Sequence, residues 1–168
     1  MPSFIAIDFE TANPHKDSAC AIGLVKVVKG KIVAREQRLI DPQDYFYEQF
    51  IDVHGITPED VVEAPTFEQV WKELSPLLKG ADFLAAHYAP FDRSVLLACC
   101  AAYGIKLPTQ PFFCTVRLAR TAWNLRPTKL PYVCDALGIK LKHHDPLSDA
   151  LACARIVLKG KHLLPDLL

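Results

Sequence analysis

The stretch Phe4-Ile5-Ala6-Ile7-Asp8-Phe9-Glu10-Thr11 is an apolar run that ends in two carboxylates two residues apart. Its aromatic and β-branched residues are typical of a central strand that is covered on both faces. Residues two apart in a strand point to the same side, so Asp8 and Glu10 should converge, and their repulsion favours a cation between them. Hard divalent ions such as Mg²⁺ bind to carboxylates in this way. The structural alternative is that Asp8 and Glu10 only mark a solvated strand end, because short motifs of this kind often occur without a functional site.

Length and composition indicate a globular protein. The chain has 168 residues, of which 51% are hydrophobic, and its 19 basic side chains balance its 19 acidic ones. A chain of this length predicts one domain, residues 1–168, with a substantial core. Nonspecific affinity for nucleic acid comes mainly from Lys and Arg side chains that neutralise phosphates. The zero net charge therefore disfavours a large surface that follows a phosphate backbone.

Cysteine spacing and hydropathy predict the compartment. The six cysteines form no CxxC pair and no zinc-binding spacing, which favours reduced thiols in the core. No apolar run reaches the length of a bilayer, and the first residues do not resemble a secretion signal. We therefore expect a cytoplasmic protein that does not associate with a membrane.

Further strands and helices follow the acidic stretch. Residues 19–28 and 31–40 flank the turn signal Lys29-Gly30 and predict an antiparallel pair. Thr66-Phe67-Glu68-Gln69 has the pattern of a capping box, and the apolar residues after it recur at helical spacing. The expected order is a meander of three strands, followed by helices that pack on the sheet.

A third acidic residue falls where a later strand meets a helix. Residues 83–87 predict a strand, and Pro90 predicts the start of a helix whose first turn contains Asp92. Open α/β sheets bind their ligands at such junctions. An acid in the first turn of a helix also has a structural interpretation, as a partner of the helix dipole.

Near the C-terminus, two histidines precede a helix start. Asp145 is placed to cap the helix and Pro146 to occupy its first position. His144 then lies just outside the helix and Asp149 in its first turns, so both can face one neighbourhood. An exposed histidine and an acid attracted by the helix N-terminus are the structural alternatives. His143 is a rival to His144, but the spacing to Asp149 favours His144 and predicts that His143 turns away.

In this order, the motifs resemble the DEDD superfamily of 3′-to-5′ exonucleases, in the branch with a histidine base that includes the DNA polymerase III epsilon subunit and RNase T. The three family motifs resemble, in turn, residues 5–11, 87–92 and 144–150. The segment 53–57 is similar to one common in the epsilon-like group, and the likeness spans residues 4–160. Tyr88 stands where the second motif usually has Asn, which puts the contacts near that motif in doubt.

The resemblance implies a ribonuclease H-like α/β fold, with a mixed five-stranded sheet flanked by helices. It also implies two Mg²⁺ or Mn²⁺ ions and the release of nucleoside 5′-monophosphates from a 3′ end. The metal ligands would be four carboxylates: Asp8, Glu10, Asp92 and Asp149. His144 would complete the catalytic set as the general base that takes a proton from the attacking water. The candidate residues for binding the terminal nucleotide are Phe9, Thr11, His54, Ile56, His87 and Phe91.

The alternative function is a catalytically inactive module of the same fold that binds nucleic acid or tethers a polymerase. Such relatives normally lose a metal ligand or the base, whereas all five positions are present here. The expected partners are single-stranded 3′ ends and a polymerase or another replication or repair protein. DNA is favoured but RNA stays open, because a pocket for the last one or two nucleotides says little about the 2′ hydroxyl.

Overall fold

A five-stranded sheet forms the centre of the fold in a computed structural model that describes residues 1–168. The strands are β1 (Phe4–Thr11), β2 (Ala19–Val28), β3 (Lys31–Leu39), β4 (Phe83–Ala86) and β5 (Phe112–Cys114). They lie in the order β3-β2-β1-β4-β5. The first three strands pair antiparallel, whereas β4 and β5 run parallel to β1. The predicted mixed sheet, with an opening meander and β1 at its centre, is confirmed.

Eight α-helices flank the sheet. They are α1 (Glu48–His54), α2 (Pro58–Val61), α3 (Phe67–Leu74), α4 (Ala89–Ala102), α5 (Thr115–Trp123), α6 (Leu130–Leu137), α7 (Pro146–Lys159) and α8 (Leu164–Leu167). Short 3-10 helices extend α3 over Ser75–Leu78 and precede α8 over Lys161–Leu163. None of these helices is long and apolar enough to span a bilayer.

Strand β1 divides the core into two layers through its alternating side chains. Phe4 and Ala6 pack with residues of α5, α6 and α7 on one face. Ile5, Ile7 and Phe9 pack with residues of α3 and α4 on the other. Since side chains two apart share a face, Asp8 and Glu10 continue the row of Phe4 and Ala6 and point to the side of the sheet that α7 covers.

Helix starts agree with the sequence patterns. Thr66 and Gln69 form the predicted capping box at the start of α3. The Thr66 hydroxyl accepts from the backbone N–H of Gln69, and the Gln69 side-chain oxygen accepts from the backbone N–H of Thr66. Asp145 caps α7 by accepting from the backbone N–H of Ser148 at 3.2 Å, and Pro146 is its first residue. The sequence patterns do not predict helix α1, which is seven residues long and has no fully buried residue. Five of the six cysteines are buried, as the sequence predicts, and all six are free thiols.

The start of α7 lies directly on β2 at Gly23. A Cβ added to Gly23 would lie 2.7 Å from the backbone nitrogen of Leu147 and closer still to the carbonyl group of Pro146. Gly23 is also the partner of Asp8 in the antiparallel ladder. The absence of a side chain at this position therefore lets the first turn of α7 approach the acidic end of β1.

Candidate active site

Three carboxylates from two distant parts of the chain meet at the end of β1. One ligand oxygen each from Asp8, Glu10 and Asp149 lies within 4.8 Å of the others. Asp8 and Glu10 come from β1, and Asp149 comes from the first turns of α7. The Oδ2 atom of Asp8 is buried without a hydrogen-bond partner. A buried carboxylate oxygen without a partner is costly unless a cation binds it.

Asp92 approaches the same end of β1 from the first turn of α4. Its side chain is buried, and Oδ1 accepts a hydrogen bond from the backbone N–H of Phe9 at 2.9 Å. This bond anchors α4 to the residue that lies between Asp8 and Glu10. The charge of Asp92 contributes, after burial, to raising the pKa of Asp8 well above its ordinary value. The structure therefore brings all four predicted acids to one end of the central strand.

The acids raise one another's pKa because they share a buried site. Burial, followed by the charges of Asp149 and Asp92, raises the pKa of Glu10 to about 8. Burial raises the pKa of Asp92 to about 8 and that of Asp149 to about 6. No Lys or Arg nitrogen lies within 4.0 Å of these carboxylates, and the nearest basic groups are His143, 3.3 Å from Asp149, and His144, 3.8 Å from Glu10. A buried set of oxygen donors with excess negative charge fits a hard divalent cation.

His144 stands at the edge of the acidic cluster. Its backbone N–H donates to Asp149 Oδ2 at 3.1 Å, and its Nδ1 lies 3.8 Å from Glu10 Oε1. The side chain is 37% exposed, so the ring can meet both the carboxylates and solvent. Burial, followed by the charge of His143, holds the pKa of His144 below its ordinary value. The neutral ring is therefore the dominant form near neutral pH.

His143 lies beside the cluster, and the prediction that it turns away is wrong. Its Nδ1 is 3.3 Å from Asp149 Oδ1, and its ring stacks on that of His144 with centroids 3.7 Å apart. The reason is the backbone of His144, whose φ of 66° reverses the chain just before α7. With that left-handed turn, neighbouring side chains that would diverge in an extended chain come to the same side.

Among the residues predicted to bind the terminal nucleotide, His54 is tied directly to the end of β1. Its Nε2 donates to the carbonyl of Thr11 at 2.9 Å, and its Nδ1 accepts from the N–H of Ile56 at 3.0 Å. Ile56 is 9% exposed. Phe91 is partly buried, with the Lys16 ammonium 4.8 Å from its ring centroid. His54 and Ile56 therefore lie at the exit of β1, and Phe91 directly precedes Asp92, whose side chain is bonded to the backbone of Phe9.

Phe9 and His87 have positions that differ from the expectation. The Phe9 ring is buried in the core beneath α3 and α4, so it is not placed to stack on a nucleotide. His87 donates from Nε2 to the carbonyl of Thr128 at 2.6 Å, which leaves Nδ1 to accept from the hydroxyl of Thr115 at 2.8 Å. Both ring nitrogens are thus occupied, and His87 connects β4 to α5 and to the segment before α6.

Sequence reasoning missed Thr115 and Gly23, which position the site without belonging to a motif. Thr115 is completely buried and holds the ring of His87, whereas Gly23 admits the start of α7. Neither residue has a local signal, because each acts through a contact with a segment that is remote in sequence.

A family model and several curated proteins match the chain. The model of the exonuclease family RNase_T matches residues 5–157. DNA polymerase III PolC-type of Thermotoga maritima is 31% identical over 161 residues, which are 94% of this chain and 12% of that relative. The PolC-type protein of Clostridium perfringens is 31% identical over 158 residues, 92% of this chain and 11% of the relative. The chain thus spans about an eighth of the length of these relatives.

Solved structures of exonucleases share the fold. Exonuclease X in complex with 5′ overhanging duplex DNA has a TM-score of 0.77 at 24% identity, covering 96% of this chain and 93% of that one. Exonuclease I of E. coli in complex with a dT13 oligonucleotide has a TM-score of 0.84 at 16% identity, covering 99% and 42%. The family model covers the three motifs and the strands that position them, and the chain therefore belongs to the RNase_T exonuclease family, within the DEDD superfamily of 3′-to-5′ exonucleases.

Proposed function

We propose that this chain is a metal-dependent exonuclease of the histidine-base type that hydrolyses the last phosphodiester bond at the 3′ end of single-stranded nucleic acid. The products would be nucleoside 5′-monophosphates, and residues 1–168 would act as one exonuclease domain. The observation that carries the proposal is the convergence of four buried or half-buried acids with a partly exposed histidine at their edge.

The four acids would hold two Mg²⁺ or Mn²⁺ ions. Asp8 offers an unpartnered buried oxygen, and Glu10 and Asp149 offer oxygens within reach of it. Asp92 would complete the set with the carboxylate whose Oδ1 is already fixed by the amide of Phe9. Two bound divalent ions would stabilise both the attacking and the leaving oxygen of an in-line displacement at phosphorus.

His144 would act as the general base. Water attacks the phosphorus as one of its protons passes to the imidazole, the bond from phosphorus to the 3′ oxygen of the preceding nucleotide breaks, and that oxygen takes a proton from solvent to become the new 3′ hydroxyl. The lowered pKa of His144 keeps its ring neutral and able to accept that proton at neutral pH. The edge position of the ring, beside Glu10 and partly in solvent, suits a group that must return its proton to water after each turnover.

The end of β1 would bind the terminal nucleotide. His54 and Ile56 form its floor through their bonds with each other and with Thr11, and Phe91 supplies a partly exposed aromatic ring. Such a site binds the terminal sugar and base of DNA or RNA. DNA is the favoured substrate because the matched relatives are DNA polymerases, and association with a polymerase is part of this proposal.

The test offers 5′-labelled single-stranded DNA and RNA of matched sequence to the purified chain with Mg²⁺. A ladder of products shortened from the 3′ end is expected, with DNA degraded faster than RNA. EDTA should abolish the ladder, and Asp149→Asn should prevent it in the presence of Mg²⁺. Binding of either strand without any shortening would instead support the inactive nucleic-acid-binding module, and full activity in EDTA would contradict the metal mechanism.

A further inference from the structure

A cavity of about 360 Å³ opens beside the start of α4 and has no part in the chemistry above. Its lining includes His87, Tyr88, Arg117, Arg120, Thr128 and Lys129. We call this surface the basic groove. Three of its side chains are cationic, and no Asp or Glu contributes to its lining.

The cations of the basic groove are not neutralised by the protein. Arg117, Arg120 and Lys129 are exposed, and none of them forms an ion pair with a carboxylate. Arg120 makes one hydrogen bond, from Nη2 to the hydroxyl of Thr128 at 3.3 Å. In a chain whose net charge is zero, three uncompensated cations on one concave surface create a local positive potential. Such a surface attracts an anion with several charges.

Tyr88 adds an aromatic platform to the groove. Its side chain is 63% exposed, and its backbone has a φ of 66° at the N-cap of α4. This left-handed conformation is uncommon for a bulky residue, so the fold holds the phenol outward at a local conformational cost. An exposed aromatic ring among cations is the combination that binds single-stranded nucleic acid, since bases stack on the ring and phosphates pair with the cations.

The basic groove adjoins the acidic cluster. Tyr88 and Asp92 are four residues apart at the start of α4, which corresponds to about 6 Å along the helix axis. His87 links the two, because it lines the groove and lies two residues beyond Ala85, whose partner on β1 is Ala6, two residues before Asp8. A strand whose 3′ end lies among the acids could therefore continue into the groove.

We propose that the basic groove binds the nucleotides upstream of the scissile bond, with Arg117, Arg120 and Lys129 on successive phosphates and Tyr88 stacked on a base. The inference rests on the exonuclease function proposed above and adds the surface that selects a strand over a single nucleotide. A balanced net charge is compatible with this, because the three cations of the groove lie together without a carboxylate partner.

Two substrates separate the groove from the reacting centre. The p-nitrophenyl ester of thymidine 5′-monophosphate needs only the site at the end of β1, whereas a longer single-stranded oligonucleotide also reaches the groove. The double variant Arg117→Ala/Arg120→Ala should lose at least ten times more kcat/KM on the oligonucleotide than on the ester, mainly through KM. Tyr88→Ala should show the same selectivity, and Tyr88→Phe, which keeps the ring, should behave like the parent.

The matched control is Arg35→Ala/Lys106→Ala, which removes two exposed cations outside the groove. Salt gives a second measurement, because each neutralised phosphate of a single strand contributes about 0.7 to the slope of log affinity against log salt. The groove variant should lose about 1.4 of that slope and the control should lose less.

The outcomes are distinguishable from those for the proposed function. Equal losses of kcat/KM on the ester and the oligonucleotide, or no loss on either, would contradict strand binding in the groove. The proposed exonuclease function would be unaffected by either result. If the parent hydrolysed neither substrate, the proposed function would fail. Fluorescence anisotropy with a labelled oligonucleotide in EDTA would then still test the groove, and equal affinity of the parent and the groove variant would overturn it.

Discussion

The imidazole ring of His143 stacks on that of His144, with centroids 3.7 Å apart and 29° between the ring planes. On its other side, His143 places Nδ1 3.3 Å from Asp149 Oδ1. His143 therefore connects the candidate base to a candidate metal ligand. The stack restricts the rotation of a His144 side chain that is otherwise more than a third exposed. We expect His143 to support the base without being the base itself.

Substitutions of the two histidines should separate these roles. A positioned general base contributes about 10² to 10⁴-fold, so His144→Ala should lose that much in kcat with little change in KM. His143→Ala should lose clearly less, because it only frees the His144 ring to rotate. His143→Phe, which retains a stacking ring but not the nitrogen, should recover most of that loss. Steady-state kinetics would measure all three, and a large loss confined to the His143 variants would identify His143 as the base.

The pH dependence of the rate should report His144. A general base works when deprotonated, so kcat should rise with pH through the pKa of His144 and then level off. Burial and the charge of His143 lower that pKa, so the midpoint should lie below the ordinary histidine value of about 6.5. Measuring kcat against pH at saturating Mg²⁺, which keeps the acids ionised, would show this rise. The rise should vanish in His144→Ala, and its persistence in that variant would assign it to a carboxylate.

Stability without metal should fall as pH rises. The raised pKa values of Glu10 and Asp92, about 8 each, mean that the folded chain holds protons which the unfolded chain releases near pH 4. This contribution to stability is complete below about pH 4 and is lost as pH rises through 8. Melting temperatures in EDTA at the two ends of this window should show the fall. Mg²⁺ should reverse it at the alkaline end, because a ligand that binds only the folded state stabilises it.

Asp8→Asn should abolish activity and should also reduce the loss of stability that occurs without metal at alkaline pH. The substitution removes a carboxyl group whose ionisation is opposed by burial and by the charge of Asp92, and the new amide can donate to a neighbouring carboxylate. In EDTA at alkaline pH the variant should melt higher than the parent, where 1 kcal/mol corresponds to about 2 to 4 °C for a domain of this size. Its melting temperature should respond less to Mg²⁺. A variant that melted lower would show that Asp8 supports the fold and is misassigned as a ligand.

The features that were predictable from sequence have local causes. The alternation in β1, the capping box at Thr66 and the Asp145-Pro146 helix start each depend on neighbours within a few residues, and each is present in the structure. The same alternation of side chains in β1 also predicts that the ring of Phe9 points into the core. Since Asp8 and Glu10 face α7, the residue between them has to face α3 and α4.

The features that were missed depend on contacts between remote segments or on one backbone angle. His143 meets Asp149 because His144 has a positive φ, which no residue type in that stretch demands. His87 is held by Thr115 and Thr128, 28 and 41 residues later in the chain. A short sequence motif around His87 does not include these two threonines, so it cannot predict the hydrogen bonds that hold the ring. The motif can still identify the residue types that the site needs.

The contact between Gly23 and the start of α7 makes a last prediction about geometry. A Cβ at Gly23 would meet the backbone of Pro146 and Leu147, which cannot rotate away as a side chain could. Gly23→Ala should therefore displace α7, at a cost of about 1 to 3 kcal/mol for overpacking. The displacement would also move Asp149 and His144 away from Asp8 and Glu10.

Gly23→Ala should consequently lose activity beyond its loss of stability. A misplacement of about 1 Å in an active site can cost about 10²-fold in rate. The control is Gly80→Ala, since Gly80 has a φ of 80° and nothing within 4 Å of an added Cβ. That variant is strained by its backbone but leaves α7 where it is. Below the melting temperature of both, kcat should fall in Gly23→Ala and stay near the parent value in Gly80→Ala. Equal kcat in the two variants would mean that the site tolerates movement of α7, and the close approach at Gly23 would then serve the fold alone.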